Sequence, residues 1–431
     1  MHPMTFPGGN APPTEDALEK RVLAKAAWRL LPFLGLLYIL NILDRVNVGF
    51  ARLTMQTDLG MGQAVFDLGF GLFYIGYLFF EVPSNLILHR VGARVWISRI
   101  MITWGMVSCA TMFVQDVYSF YAIRILLGVA EAGFFPGIIL YLTYWFPSRH
   151  RAAFISLFMI ANPLASMFGN PLSGWILDTF QGTWGLKGWQ WLFLLEGIPT
   201  VLIGFLCFKV LADKPQTASW LTPAERDCLV TALAREEESK KERRGIDLLF
   251  AMLEPRVWML IALYFTVAVG ANAAGAYVPK LIAERFVDLS KTKIGLLSAV
   301  PALCAVVGML LFSYASDRTR ERALFVSLAA LLASAGWALC WQAVSPWIGL
   351  AGICLAQMGM MSMLPVFWTM PSKFFRGAAA AGGIALINSV ANLGGFIGPW
   401  LLGKGGLSLM AATLLTGAFI ALAVRFQESR E

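Results

Sequence analysis

The sequence predicts an all-α membrane protein with twelve transmembrane helices in two six-helix repeats. Three observations carry that reading. Of the 431 residues, 58% are hydrophobic and 14% charged, against roughly 45–50% and about 25% in soluble chains. The apolar residues come in long continuous runs, and about 18 or more of them cross a bilayer as a helix. A membrane β-barrel would show alternating segments of about 10 residues instead. Finally, three landmarks recur at one offset in the two halves of the chain.

The N-terminal tail, 1–27, is "MHPMTFPGGNAPPTEDALEKR" followed by a short lead-in. It is rich in Pro and Gly and has no apolar core, so it reads as a tail and not as a cleaved signal peptide. The first bundle, 28–211, holds spans 28–50, 67–88, 95–114, 117–140, 152–177 and 189–211. A charged linker, 212–255, follows. Its stretch "LTPAERDCLVTALAREEE" opens on a Thr/Pro helix start and continues in helix formers, which predicts a surface helix. The second bundle, 256–425, holds spans 256–283, 293–315, 322–343, 346–370, 378–403 and 406–425, and residues 426–431 form the C-terminal tail.

The duplication rests on three pairs. "HRVGAR" from His89 answers "DRTRER" from Asp317. "WFPSRHRAA" after span four answers "KFFRGAAAA" after span ten. "NPLSG" at Asn170 answers "GPWLLG" at Gly398. Each pair is about 228 residues apart, the mark of a repeat. Parallel repeats of this kind build transporters whose substrate site lies near the midplane between the halves.

The net charge of +8 fits cytoplasmic loops enriched in Lys and Arg better than a nucleic-acid partner, since no basic stripe carries interleaved aromatics. With the N-terminus inside, cytoplasmic segments hold roughly 25 Lys and Arg and outer loops about 7. Lys280, Arg285, Lys291 and Lys293 go against the trend. The six cysteines have no metal or redox spacing and read as free thiols, five of them among helices. No metal, cofactor or enzyme motif is present.

The segment "YILNILDRVNVGF", Tyr38 to Phe50, carries an Asp and an Arg deep in span one. The other ionisable residues deep in spans are Glu81, Arg124, Glu131 and Glu196. Each costs at least about 2.5–3.5 kcal/mol at a lipid-facing helix centre, so such groups turn inward. Glu196, near a helix end, reads foremost as a packing residue. Arg124 and Glu131 are seven apart and share a helix face. Spans one and four are therefore expected to present Asp44, Arg45, Arg124 and Glu131 to one cavity. That set is neutral with both acids ionised and carries two fixed positive charges with both protonated, because Arg keeps its proton. A guanidinium fork suits a carboxylate, so protonating Asp44 or Glu131 would release an arginine for an organic anion. His2, His89 and His150 lie in tails or loops and cannot carry the proton. Adjacent residues point about 100° apart on a helix, so Arg45 is free to reach sideways towards Glu131 while Asp44 faces another helix.

Asn41, Asn162, Asn272, Asn388 and Asn392 read equally as substrate contacts or as helix–helix hydrogen bonds. Tyr74, Tyr77 and Trp368 are candidate walls of the cavity, or interface anchors. "AEAGFFPG" and "GGFIGPW" mark bends or close helix approaches.

These stretches resemble a known family. "LDRVNVGFA", "FYIGYLFFEVPSNLILHRVGARVWISRIMITWG", "RILLGVAEAGFFPGIILYLTYWFP", "DKPQTASWLTPAER" and "NSVANLGGFIGP" are similar to the major facilitator superfamily. Within it they resemble the anion:cation symporters of the phthalate, tartrate, hydroxyphenylacetate and nicotinate type. The resemblance implies a proton-driven, alternating-access uptake system for organic anions, with Asp44 and Glu131 taking protons. It ties Arg45 and Arg124 to the anion and the coupling network, and Asn162 and Asn388 to substrate. It also assigns Arg90, Arg94, Asp317 and Arg318 to the cytoplasmic gate. The chain departs in having His89 where an Asp usually precedes Arg90, and in a short connection "LGKGGLSL" between spans eleven and twelve.

The reading is a symporter in an inner membrane, both termini cytoplasmic, acting as one chain on protons and a small organic anion. That anion would be an aromatic carboxylate, a tartrate-like diacid or a sugar acid. Export or exchange of such anions, and a carboxylate sensor, are the alternatives.

Overall fold

The computed structural model describes residues 15–147, 158–159, 161–241, 255–370 and 378–428. Thirteen α-helices account for most of them: α1 Glu15–Asp58, α2 Gln63–Val91, α3 Ala93–Ala110, α4 Val117–Glu131, α5 Phe134–Trp145, α6 Ala161–Thr179, α7 Gly188–Val210, α8 Pro223–Lys241, α9 Pro255–Arg285, α10 Lys291–Thr319, α11 Arg322–Gln342, α12 Pro346–Phe367 and α13 Ala378–Glu428. Among the described residues, ten helical stretches are long and apolar enough to cross a membrane. One of them, Ile387–Gln427, has 41 residues, twice the roughly 20 that a bilayer needs. Counting it twice and adding α6 gives twelve crossings.

Two breaks follow from glycine. Span four is bent between α4 and α5 at Gly133, whose φ of 85° lies where a Cβ is disfavoured. The 51-residue α13 is interrupted at Gly406, φ 67°, which separates spans eleven and twelve with no loop between them. The short "LGKGGLSL" connection is therefore one non-helical residue inside a helical run. The linker helix opens at Pro223, and Thr222 N donates to Glu225 Oε2 at 2.9 Å, the reciprocal bond of a capping box. Lys25 joins α1 to the same carboxylate at 2.7 Å.

In the first half α3 packs on α7 and α2 on α4; in the second, α9 packs on α13 and α11 on both α12 and α13. The halves meet along α6–α10, α2–α13 and α1–α9. At the last of these a Cβ on Gly49 would stand 2.8 Å from Gly275 O, so only glycine permits the approach.

Hydrogen bonds between the halves gather at the end opposite the linker. Arg52 pairs with Asp67 at 3.1 Å, Tyr277 donates to Asp67 Oδ1 at 2.6 Å, and the Arg52 guanidinium lies 4.5 Å from the Tyr277 ring centroid. Asp178 of α6 accepts from the first backbone amides of α10, Lys291 N at 3.1 Å and Thr292 N at 2.7 Å. This places a carboxylate where a helix N-terminus favours one. Three of the four basic residues that oppose the charge trend gather here too: Lys280 donates to Gln63 at 2.8 Å, Arg285 to Cys340 O at 2.9 Å, and Lys291 sits on Asp178.

Candidate functional site

Between the halves, on the linker side of this closed end, lies a cavity of about 210 Å³. The α1 residues Tyr38, Asn41 and Arg45 line it at spacings of three and four, one helix face. Tyr74 and Tyr77 of α2 and Asn162 of α6 also line it from the first half. Asn272 of α9 and Asn388 and Asn392 of α13 line the second. Arg45 is the one formally charged side chain in this described lining.

Arg45 points at Glu131. Both Nε and Nη2 approach Glu131 Oε1 at 2.5 Å, and Asn41 Nδ2 donates to the same oxygen at 2.6 Å. Glu131 Oε2 has no partner and the residue is fully buried. The guanidinium thus meets one carboxylate oxygen, not two, and keeps donors for a second anion. The rings of Phe73 and Tyr77 flank it at 5.3 and 5.2 Å.

Four charges facing one cavity is not what the fold builds. Asp44 is 1% exposed and turns to α3 and α7. Ser108 Oγ donates to Asp44 Oδ1 at 2.6 Å, Thr200 Oγ1 to Oδ2 at 3.2 Å and Asn47 Nδ2 to Oδ1 at 3.2 Å. The 100° step from Arg45 explains the divergence. Arg124 is 3% exposed. Its Nε donates to Gly69 O at 3.2 Å, and its guanidinium lies 5.5 and 5.1 Å from the rings of Phe70 and Phe73. It therefore sits behind the aromatic wall, unpaired with Glu131 although the two share a helix face.

Two residues bridge the halves at cavity level. Tyr74 donates its hydroxyl to Asn272 Oδ1. Glu81 of α2, 5% exposed, accepts from Asn388 Nδ2 at 3.2 Å and Asn392 Nδ2 at 3.4 Å. Trp368 is not in the lining. It packs edge-on against Tyr264 at 4.9 Å, and Tyr264 faces the cavity. Tyr264, Tyr38 and Gln357 are lining residues that sequence reasoning missed. Gln357, an isolated amide inside an apolar span, was a visible signal; the two tyrosines look like any interface aromatic.

With this geometry in hand, comparison with known proteins decides the family. The Major Facilitator Superfamily model matches residues 34–399. The chain belongs to the Major Facilitator Superfamily. A putative tartrate transporter of Agrobacterium vitis is 46% identical over 414 residues, covering 94% of this chain and 91% of its own. The putative metabolite transport protein NicT of Pseudomonas putida is 42% identical over 417 residues, covering 94% of each. The xylose transporter XylE of E. coli, solved in a partially occluded inward-open conformation, superposes with a TM-score of 0.72 at 14% identity, over 92% of this chain and 97% of its own. This superfamily consists of membrane transporters, not enzymes, and the chain is a secondary transporter of the same fold.

Within this superfamily chain, the candidate gate residues Arg90, Arg94, Asp317 and Arg318 are all exposed, at the linker end. Arg94 N donates to Asp213 Oδ1 at 2.8 Å, and His89 Nδ1 lies 3.0 Å from Tyr144 Oη; both contacts stay within the first half and the linker. The cross-half cluster at the opposite end, Arg52, Asp67 and Tyr277, was not singled out from sequence, because its members stand 15 and 210 residues apart.

Proposed function

We propose that the chain is a proton-coupled symporter that takes up a small organic anion by alternating access. The observation that carries this reading is Arg45: a single guanidinium on an otherwise uncharged cavity wall, held by a buried glutamate through one oxygen. An incoming carboxylate competes with Glu131 for the guanidinium, and a proton on Glu131 removes the competitor. Proton and anion then favour each other's binding, the thermodynamic requirement for symport. The tartrate-transporter name of one relative supports a carboxylate cargo.

The Lys and Arg distribution supports an inner-membrane protein with both termini and the linker in the cytoplasm. In that orientation the closed end is the outer one and the cavity faces inward. One chain supplies both walls of the cavity, which supports action as a monomer. Asn41, Tyr74, Tyr77, Asn162, Asn272, Asn388 and Asn392 contact or frame the anion. Asp44 and Glu131 take protons, Arg124 stiffens the aromatic wall behind Arg45, and Arg90, Arg94, Asp317 and Arg318 close the inner gate.

The test is uptake by purified protein in proteoliposomes. A panel of aromatic, dicarboxylic and sugar acids is offered with and without an inward proton gradient, beside Asp44→Asn and Glu131→Gln. Gradient-driven accumulation lost in both variants, with exchange kept in at least one, is expected. Accumulation indifferent to the gradient overturns symport, and gradient-driven depletion identifies an exporter.

A further inference from the structure

A second buried acid lies beside Asp44. Glu196 sits eight residues into α7, 5% exposed. It takes one close hydrogen bond, from Ser173 Oγ to Oε1 at 2.7 Å, and its Oε2 has no close partner. Asn47, fully buried, joins the two acids: its Nδ2 donates to Asp44 Oδ1 at 3.2 Å, and its amide also donates to Glu196. The two acids also act on each other electrostatically.

An ionised carboxylate only accepts hydrogen bonds; a protonated one also donates. Asp44 receives three donors, from Ser108, Thr200 and Asn47. Those hydrogen bonds favour the ionised form at Asp44 more than the surroundings of Glu196 do there. Glu196 receives Ser173 Oγ, has the Asn47 amide as a second, looser donor, and shares with Asp44 a buried site without a cation among the described residues, where two carboxyls do not both ionise. One proton held by the pair removes the repulsion between two buried carboxylates. The other titratable groups that act on this cluster are Glu131 from α4 and Cys109 from α3; among the described residues no Lys or Arg touches either acid.

We propose that Glu196 is a proton-carrying group that shares one proton with Asp44, the two carboxyls held together by the Asn47 amide, at a site apart from the cavity. When the proton passes, the O–H bond on Glu196 breaks, one forms on Asp44, and the negative charge moves to Glu196. Position gives this a direction. Trp189 Nε1 bonds Asp58 at 3.1 Å, tying the start of α7 to the closed end of α1. Glu196 is about 12 Å along its helix from that end and Asp44 about 21 Å along its own, at 1.5 Å per residue. Glu196 thus stands between Asp44 and the end that the symport reading places outside, where an entering proton arrives. The direction rests on that reading; the shared proton does not.

Infrared spectroscopy of the purified protein tests it through the carbonyl band of protonated carboxyls, recorded against pH. Glu196→Gln is expected to remove one such band at neutral pH. Asp44→Asn is expected to move the pH at which that band disappears by about 1 unit or more, the mark of coupled sites. Ser173→Ala keeps the carboxyl and is expected to change the band's frequency, which guards against a Gln variant that fails to fold. In proteoliposomes, Glu196→Gln is expected to lose gradient-driven accumulation and Glu196→Asp to restore it. A band unchanged in Glu196→Gln, or a titration unmoved in Asp44→Asn, overturns the proposal. Wild-type protein that ignores the gradient overturns symport and the inward direction, while the infrared result still decides the shared proton.

Discussion

Arg45 and Glu131 meet through a single oxygen. Two guanidinium nitrogens converge at 2.5 Å on Glu131 Oε1, while Oε2 stays unpartnered in a fully buried residue. A fork-to-fork pair would use both oxygens. This one leaves the guanidinium open towards the cavity, poised between an internal anion and an external one.

Arg45→Lys is therefore expected to keep the charge and lose the fork. Charge-assisted hydrogen bonds contribute about 1.5–3 kcal/mol each, so substrate Kd should weaken roughly tenfold to a hundredfold. Calorimetric titration with the transported acid measures it; an unchanged Kd would remove Arg45 from the anion site.

Glu131→Gln mimics the protonated acid. It frees Arg45 at every pH, so anion binding should be tighter than wild type at high pH and nearly independent of pH. Wild type should bind better as pH falls. The same titration at several pH values checks this, and a Gln variant that keeps the wild-type pH dependence would place the coupling elsewhere.

The buried pair Arg52–Asp67 ties the halves through Tyr277. Breaking such a pair from one side costs about 3–5 kcal/mol, and Tyr277 makes part of that cost specific to the closed state. Asp67→Asn should shift the population towards separation at this end. Spin labels at Thr57 and Asp288, both exposed, should report a longer distance; an unchanged distribution would make the pair a packing feature only.

Gly49→Ala puts a Cβ 2.8 Å from Gly275 O, a backbone atom that cannot swing away. The variant should open the same end and slow transport while still reaching the membrane. The same spin-label pair and an uptake assay read the two effects.

The Lys25–Glu225 bridge is outside the membrane. The Lys25 hydrogen bond, with the Thr222 amide, holds the Glu225 carboxyl below its usual value. Its contribution is present above the ordinary value of about 4.3 and fades as pH falls through the lower folded value. The bridge lies at the surface, with the Lys25 side chain 41% exposed and that of Glu225 13%, so the effect should stay under about 1 kcal/mol. Thermal melts of wild type and Glu225→Gln should differ slightly near neutrality and converge in acid.

The hydropathy runs and the 228-residue offset made the twelve-helix, two-half architecture legible, because a helix that must cross lipid needs a long apolar stretch whatever its neighbours are. The same logic exposed Asp44, Arg45, Arg124, Glu131 and the cavity asparagines: polar groups in lipid-spanning segments stand out one by one. Direction is what a residue list lacks. A 100° step per residue turned Asp44 onto Ser108 and Thr200, and the packing of α4 on α2 hid Arg124 behind Phe70 and Phe73. Glu196 looked like a helix-end residue until the contact between α6 and α7 surrounded it. The sequence by itself determined which groups are too polar to face lipid. Only the tertiary structure decided which of them share a wall, because contacts between helices depend on rotation about axes that hydropathy does not record.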